Sequence, residues 1–571
     1  MRKLPGFLPI GMFGLALAAV AQTGFAQGLS PDALRGLRLP GDVEPGRGIE
    51  RIAPPTADDT EPGAISVPQS PTSKAPAGAE GVTLVLTGIE FAGMKAYTRD
   101  EFAPLYQSMI GKTVTLEALF ELANKIATRY REDGYFLSRA LVPAQTIRNG
   151  VFTIQIIEGY VSDVVIDGDA GPAEPLIRGF VEKIVALRPV RLSDVERYLL
   201  LANDIPGYAV QSNFRRSSTT LGAAQLVITA QRKPFDGYAT VDNYGSRYLG
   251  PTGVVAGLSA NSFTPFGERT SLTALTTSQV REQKMGQLTY EQFIGSDGLS
   301  VQGFALYGKV APGYLLEPLE VRGDTFKFGA GLRYPLLRSR DLSVYAGGAF
   351  EYLNGDTDVA KAKYTRDRLR VLQGSLTASM RDSLMGGSAL TFKIRQGLPI
   401  MNASTSSSQY LSRVGASGEF TSYRLDLSRV QTLMSPLELV LSAAGQYSRR
   451  PLLASEQFVV GATTFGRGYD PAALSGDRGI AAAAELRYPI ALGLDFLDSV
   501  TPYSFVNTGH VWNWTGTQLE GHLWSTGAGL RMNFIEGLAG HVEVSRPLTT
   551  TIIDNDSSHK TRFNFSLTYQ Y

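Results

Sequence analysis

The side chains that could do covalent chemistry are few. The chain of 571 residues has no cysteine and only four histidines, His510, His522, His541 and His559. Without thiolates there is no disulfide scaffold and no cysteine-bound metal, and none of the histidines stand at a metal-ligand spacing. Gly267-Glu268-Arg269-Thr270 lacks the lysine and the upstream glycine of a phosphate-binding loop. There is no His-Glu-x-x-His and no nucleophile elbow. The pair Asp58-Asp59 lies in proline- and glycine-rich sequence, where solvated carboxylates are expected. No enzyme, cofactor or metal is predicted. What stands out instead is Phe465-Gly466-Arg467-Gly468-Tyr469-Asp470, a guanidinium set between glycines and followed by a ring. Taken alone this reads as a surface loop, so its meaning depends on the elements around it.

Those elements are strands. From Thr561 to Tyr571 the chain alternates without a break, with Phe563, Phe565, Leu567, Tyr569 and Tyr571 on one face and Arg562, Asn564, Ser566, Thr568 and Gln570 on the other. One greasy and one polar face suit a wall between lipid and water. A half-buried strand of a soluble sandwich has the same period. The alternation recurs from about Lys233 onwards, for example at Leu390, Phe392 and Ile394, at Tyr423, Leu425 and Leu427, and at Ala484, Leu486, Tyr488 and Ile490, often with full charges on the opposite face. A bilayer barrel would turn those charges to a watery lumen. At roughly 20 residues per strand and loop, the region 234–571 predicts about 16 antiparallel strands. The 61 glycines and 10% aromatic residues agree with many tight turns and interfacial rings. The formal charge of +1 gives no reason to expect nucleic acid.

The N-terminal part is different. Arg2, Lys3 and the apolar stretch to Val20 read as a signal peptide cleaved after Ala21 or Ala26. Residues 27–80 are rich in Pro, Gly, Asp and Glu and predict a flexible tether with a weak or absent plug, in which Pro31 to Leu39 has the pattern of a short amphipathic helix but is expected to fray. Residues 81–159 read as strand, helices, strand, strand, with Leu116, Leu119, Ala123, Ile126 and Tyr130 at helical spacing. Residues 160–233 repeat that order with little identity, giving two small α+β units ahead of the barrel.

Set in that frame, the chain resembles the outer-membrane transporters of the two-partner secretion family, the TpsB type. Leu86 to Thr98 (LTGIEFAGMKAYT), Tyr130 to Gly150 (YREDGYFLSRALVPAQTIRNG) and Val151 to Gly168 (VFTIQIIEGYVSDVVIDG) are similar to that family's first POTRA domain, and 160–233 looks like a second. In the barrel, Pro234 to Pro251 resembles the first strand and its turn, and Phe465 to Asp470 the family's Arg-Gly-aromatic motif, which lies at the tip of a loop folded into the lumen. Ser475 to Ile480, Glu485 to Pro489 and Ser504 to Asn513 resemble the strands that follow. The resemblance implies that Arg467 anchors the tip to the wall, that Gly468 permits a turn closed to other residues, and that Tyr469 packs against wall residues such as Phe505, with Gly509 a further wall partner of the motif. Relatives usually carry an aspartate where this chain has Asn507, which can accept a hydrogen bond from Arg467 but brings no charge, so Arg467 needs another acid, with Glu485 and Asp470 as candidates. The implied partners are an unfolded secreted client of β-helical type, outer-membrane lipids and, during biogenesis, the barrel-assembly machinery, for which the C-terminal strand from Phe563 to Tyr571 would be the signal. The implied location is the bacterial outer membrane with the POTRA domains in the periplasm. The alternatives are an assembly factor of the same superfamily and a passive porin.

Overall fold

The computed structural model describes residues 39–44, 47, 65–66, 73–461, 463–514, 520–534, 537–549 and 560–571. The predicted signal peptide, most of the Pro31 to Leu39 helix, Asp58-Asp59 and His559 lie outside them. Sixteen antiparallel strands form one closed barrel, from Phe235–Asp242 to Arg562–Gln570; the twelfth is interrupted at Tyr488-Pro489 between its pieces Arg478–Arg487 and Ile490–Leu494. Closure pairs Tyr238–Asp242 with Ser566–Gln570, and Tyr571 exchanges both backbone hydrogen bonds with Gly237. Every strand edge is thereby paired, which is what allows a sheet to stand in hydrocarbon. The alternation read from the sequence sorts the faces. Phe563, Leu567, Tyr569 and Tyr571 are exposed on the outside with Phe565 partly covered, while Asn564 is buried on the lumenal side and Arg562 reaches Asp470 there.

The first small unit contains a three-stranded sheet, Gly88–Ala92 parallel to Val151–Ile157, which also pairs with Arg139–Leu141. The helix Leu116–Glu132 covers it with Leu119, Leu122, Ala123, Ile126 and Tyr130 buried. Thr115 caps its start by accepting from the Ala118 N–H at 3.2 Å, and Gly134 ends it at φ 90°. Glu158 explains the strand-ending Ile-Glu-Gly: its Oε1 accepts from the Lys95 and Ala96 N–H groups (2.8 and 2.7 Å) and from the Tyr130 hydroxyl (2.9 Å), fastening loop, helix and strand together. The second unit sets helices Glu174–Val185 and Leu192–Asn203 on the strands Tyr160–Asp167, Ala223–Arg232 and Tyr208–Arg216.

The last strand of the second unit ends at Arg232 and the first barrel strand starts at Phe235, so that unit marks the near end of the barrel. It is braced there. Arg338 forks onto Asp204 at 2.6 and 2.9 Å, Arg197 donates to the Pro335 carbonyl at 3.1 Å, Lys183 pairs with Asp297, and Phe180 meets Phe293 edge-on.

The Pro/Gly-rich segment departs from the expected free tether. Ile65–Ser66 pairs in parallel with Ser212 and Asn213, adding a fourth strand to the second unit's sheet. At the far end, Leu39 and Val43 are buried among Leu249, Leu316, Leu319, Val321 and Val359, and Arg47 donates to the Ala454 carbonyl at 2.6 and 2.9 Å and to Gln457 at 2.8 Å. Composition concealed this because the apolar partners belong to loops hundreds of residues away. The docking buries two carboxyls. Burial pushes Asp42 up to about 6, with Ser246 partly offsetting it and Asp470 adding to it, and pushes Glu44 up to about 7 despite Arg47 and Arg413, with Asp367 repelling it further. Their ordinary values are 3.8 and 4.5, so the docked form holds protons that the released form has lost. Docking is therefore fully supported below the ordinary values and weakens as pH rises through the docked ones. Cleavage of the 39–47 segment by an added protease is expected to be several-fold faster at pH 8 than at pH 5, after correction for the protease's own pH profile. A flat or inverted profile would contradict this account.

Candidate functional site

The loop between Leu437–Ser448 and Arg478–Arg487 begins at the far end and turns back into the lumen. Two short strands, Phe458–Val460 and Leu474–Gly476, pair antiparallel at its base. Phe458, Val460 and Leu474 pack with Ala444, Ala481, Val511 and Leu523 of the inner wall, and Phe465, Tyr469 and Ala473 lie against that cluster. Gly509 is part of the fit, because a Cβ there would come within 2.6 Å of Val460. The hairpin is thus a greasy plate against the inner wall, and it fixes where the following tip can reach.

The tip carries Arg467 to two carboxylates. Its Nη1 donates to Glu485 Oε2 at 2.8 Å and Glu543 Oε2 at 3.1 Å, and the guanidinium lies 4.3 Å over the Phe505 ring. Glu485 and Glu543 are each only 3% exposed. Such a pair holds only when both partners are present, since a buried charge left alone is costly. Glu485 also accepts from Arg531 (2.7 and 3.2 Å) and from Arg487 (2.5 Å). Glu543 is supported by the Tyr503 hydroxyl at 2.9 Å and by Asn564 at 3.3 Å.

The geometry corrects four of the sequence expectations. Asp470 does not neutralise Arg467; it pairs with Arg247 (3.0 Å) and Arg562 (2.9 Å). Asn507 does not bond Arg467 either. Its Oδ1 accepts from the Gly466 N–H at 2.9 Å and the Ser525 hydroxyl at 2.6 Å, so it holds the loop backbone just before the arginine. The residue with left-handed backbone is Gly466 at φ 83°, not Gly468. Gly468 is required for closeness, since a Cβ on it would stand 2.8 Å from Pro547 N and 3.1 Å from Ser525 Cβ. Finally, Phe505 carries Arg467 rather than Tyr469, whose hydroxyl sits 2.8 Å from the Trp524 carbonyl and 2.7 Å from the Thr549 carbonyl. Glu543 escaped the sequence reading. Its signal was a single carboxylate between Val542 and Val544, on the polar face of an alternating strand.

The arrangement joins one loop to one wall through charge, backbone and ring contacts. It is a mechanical fastening: an ion pair, a backbone clasp and a ring contact hold one loop against one wall of a wet cylinder. Each contact is reversible without breaking the barrel's hydrogen-bond ladder.

Comparison with known proteins places these features in context. Residues 222–532 match the model of the haemolysin secretion/activation protein family ShlB/FhaC/HecB, and residues 84–159 match the ShlB-type POTRA domain. The chain is 25% identical over 472 residues to the heme/hemopexin transporter protein HuxB of Haemophilus influenzae, covering 80% of this chain and 82% of that protein. It is 22% identical over 449 residues to the outer membrane transporter CdiB of Dickeya dadantii, covering 77% and 78%. The solved structure of CdiB from Escherichia coli superposes with a TM-score of 0.73 at 18% identity, covering 88% of this chain and 94% of that one, so the two share a fold.

Proposed function

The chain belongs to the haemolysin secretion/activation protein family ShlB/FhaC/HecB and is an outer-membrane transporter of two-partner secretion; on that premise we propose how its parts move a client. An unfolded exoprotein, of β-helical type in its folded form, adds a segment to a strand edge of the periplasmic units, where backbone pairing tolerates many sequences. The candidate edges are Gly88–Ala92 and Arg139–Leu141 in the first unit and Tyr160–Asp167 in the second. The opposite edge of the second unit is occupied by the chain's own Ile65–Ser66, so capture there requires its displacement. The client then passes through the lumen once the loop carrying Phe465, Arg467, Gly468 and Tyr469 lets go of the wall. Outer-membrane lipids solvate the outer face, and the C-terminal strand from Phe563 to Tyr571 serves as the signal to the barrel-assembly machinery.

The observation that carries this reading is the loop itself: a lumenal element anchored by separable ion pairs to Glu485 and Glu543 occupies the polar path of a closed barrel. The test is to express secreted proteins encoded beside this chain's gene with and without the chain. A large signal-bearing neighbour should reach the medium only when the chain is present, and unchanged export in its absence would refute the proposal.

A further inference from the structure

The outer wall of the barrel is hollowed on one side. On the strands Leu437–Ser448, Arg478–Arg487 and Leu497–Trp512 a run of lipid-facing positions is short: Ala443 lies opposite Ala482, Ala482 opposite Thr508, and Ala484 stands beside the longer Leu441. Leu427, Met380 and Trp524, exposed by 41, 45 and 45%, rise around this floor. The result is an almost wholly apolar groove of about 730 Å³, within the range of about 300–1,000 Å³ typical of small-ligand pockets. Toward the near end the groove reaches Ser388 and Arg429. Arg429 shares the outward face with Leu427 and pairs with Asp382 at 2.7 Å, beside the turn that joins Ala362–Asp382 to Gly386–Gly397. Its guanidinium also donates to Ser388 Oγ at 2.8 Å and to Gln431.

We propose that this groove binds one phospholipid of the periplasmic leaflet, an acyl chain lying on the alanine floor and a zwitterionic phosphoethanolamine headgroup at the Arg429–Asp382 pair. The groove continues the surface that already faces lipid, so its occupant must be something a bilayer supplies. The charge pattern selects which. An arginine suits a phosphate, and an adjacent carboxylate suits the ammonium of the same headgroup. Inside a bilayer an acyl chain gains nothing by leaving water, so retention rests on dispersion contacts in the hollow and on headgroup pairing. The same strands carry Glu485 and Asn507 on their lumenal side, so the lipid would back the wall to which the loop is fastened. This inference rests on the barrel standing in an outer membrane.

The test is native mass spectrometry of the full chain purified in mild detergent, with the retained lipid identified. The wild-type protein should keep one phosphatidylethanolamine per barrel. Ala443→Trp and Ala482→Trp should each reduce its occupancy at least fivefold, and Arg429→Gln at least threefold. Ala256→Trp, on the outer face of Gly253–Asn261, should leave it unchanged. Heat-modifiable gel migration would show that each variant's barrel is assembled. A wild-type barrel that washes free of lipid would overturn the proposal. So would equal loss in Ala256→Trp, retention of lipopolysaccharide instead, or equal retention of phosphatidylglycerol. Loss of the lipid while client secretion stays normal would leave the lipid site standing and the transport reading untouched, so the two can fail separately.

Discussion

Replacing Arg467 with alanine is expected to lower client secretion at least tenfold while the barrel still assembles. The two properties separate because they rest on different interactions. The barrel is held by the backbone ladder of sixteen strands, none of which includes Arg467. The loop is held by the ion pairs to Glu485 and Glu543 and the contact with Phe505. Removing the arginine leaves Glu485 with Arg531 and Arg487, but leaves Glu543 with only neutral donors and His541 at 3.9 Å. Breaking one partner out of a buried pair costs about 3–5 kcal/mol, enough to unseat the guanidinium from the wall position that loop release must start from and return to, although the apolar packing of Phe465 and Tyr469 and the Asn507 clasp still hold the rest of the tip. Glu543→Gln is expected to weaken secretion less, because Arg467 keeps Glu485. Secretion would be read from the client in the medium, and assembly from heat-modifiable gel migration. Wild-type secretion by an assembled Arg467→Ala barrel would refute the role given to this loop.

The second large effect is expected from deleting Leu86 to Ile157, which should abolish client binding by the purified protein. The deletion removes the whole three-stranded sheet and both of its free edges. It also takes Phe136 and Leu137, which belong to the core of the second unit, with Phe136 edge-on to Phe214 at 5.1 Å. A thermal melt of the remaining unit is therefore part of the measurement. Retained binding of the client by a folded deletion variant would exclude the first unit as a required docking site and leave capture to the edge Tyr160–Asp167 of the second.

The barrel was legible because period-two alternation follows directly from which side of a strand meets lipid. The strands around Leu425, Leu486 and Leu567 needed no other information. The fastening was only half legible. Phe465, Arg467 and Glu485 could be picked out by type and setting, but which acids face one arginine is decided by closure, which brings Glu543 within reach of a loop 76 residues earlier. Gly466 and Gly468 look alike in sequence, and only backbone geometry assigns the turn to one and the tight approach to the other. Leu39, Val43 and Arg47 were hidden for the opposite reason. Their stretch has no period at all, and its burial is conferred by loops it meets only in the folded molecule.

The short parallel rung made by Ile65 and Ser66 against Tyr208–Arg216 has a plain arithmetic consequence. Two residues form at most a couple of ladder bonds, each worth about 0.5–1.5 kcal/mol net. On the proposed mode of capture, an arriving stretch must lay down enough rungs on the same rail to outweigh both the resident pair and the cost of its own association. The edge would then act as a gauge of length: peptides of a few residues would lose to the resident, compact proteins would present no free stretch, and a long uncoiled chain would prevail.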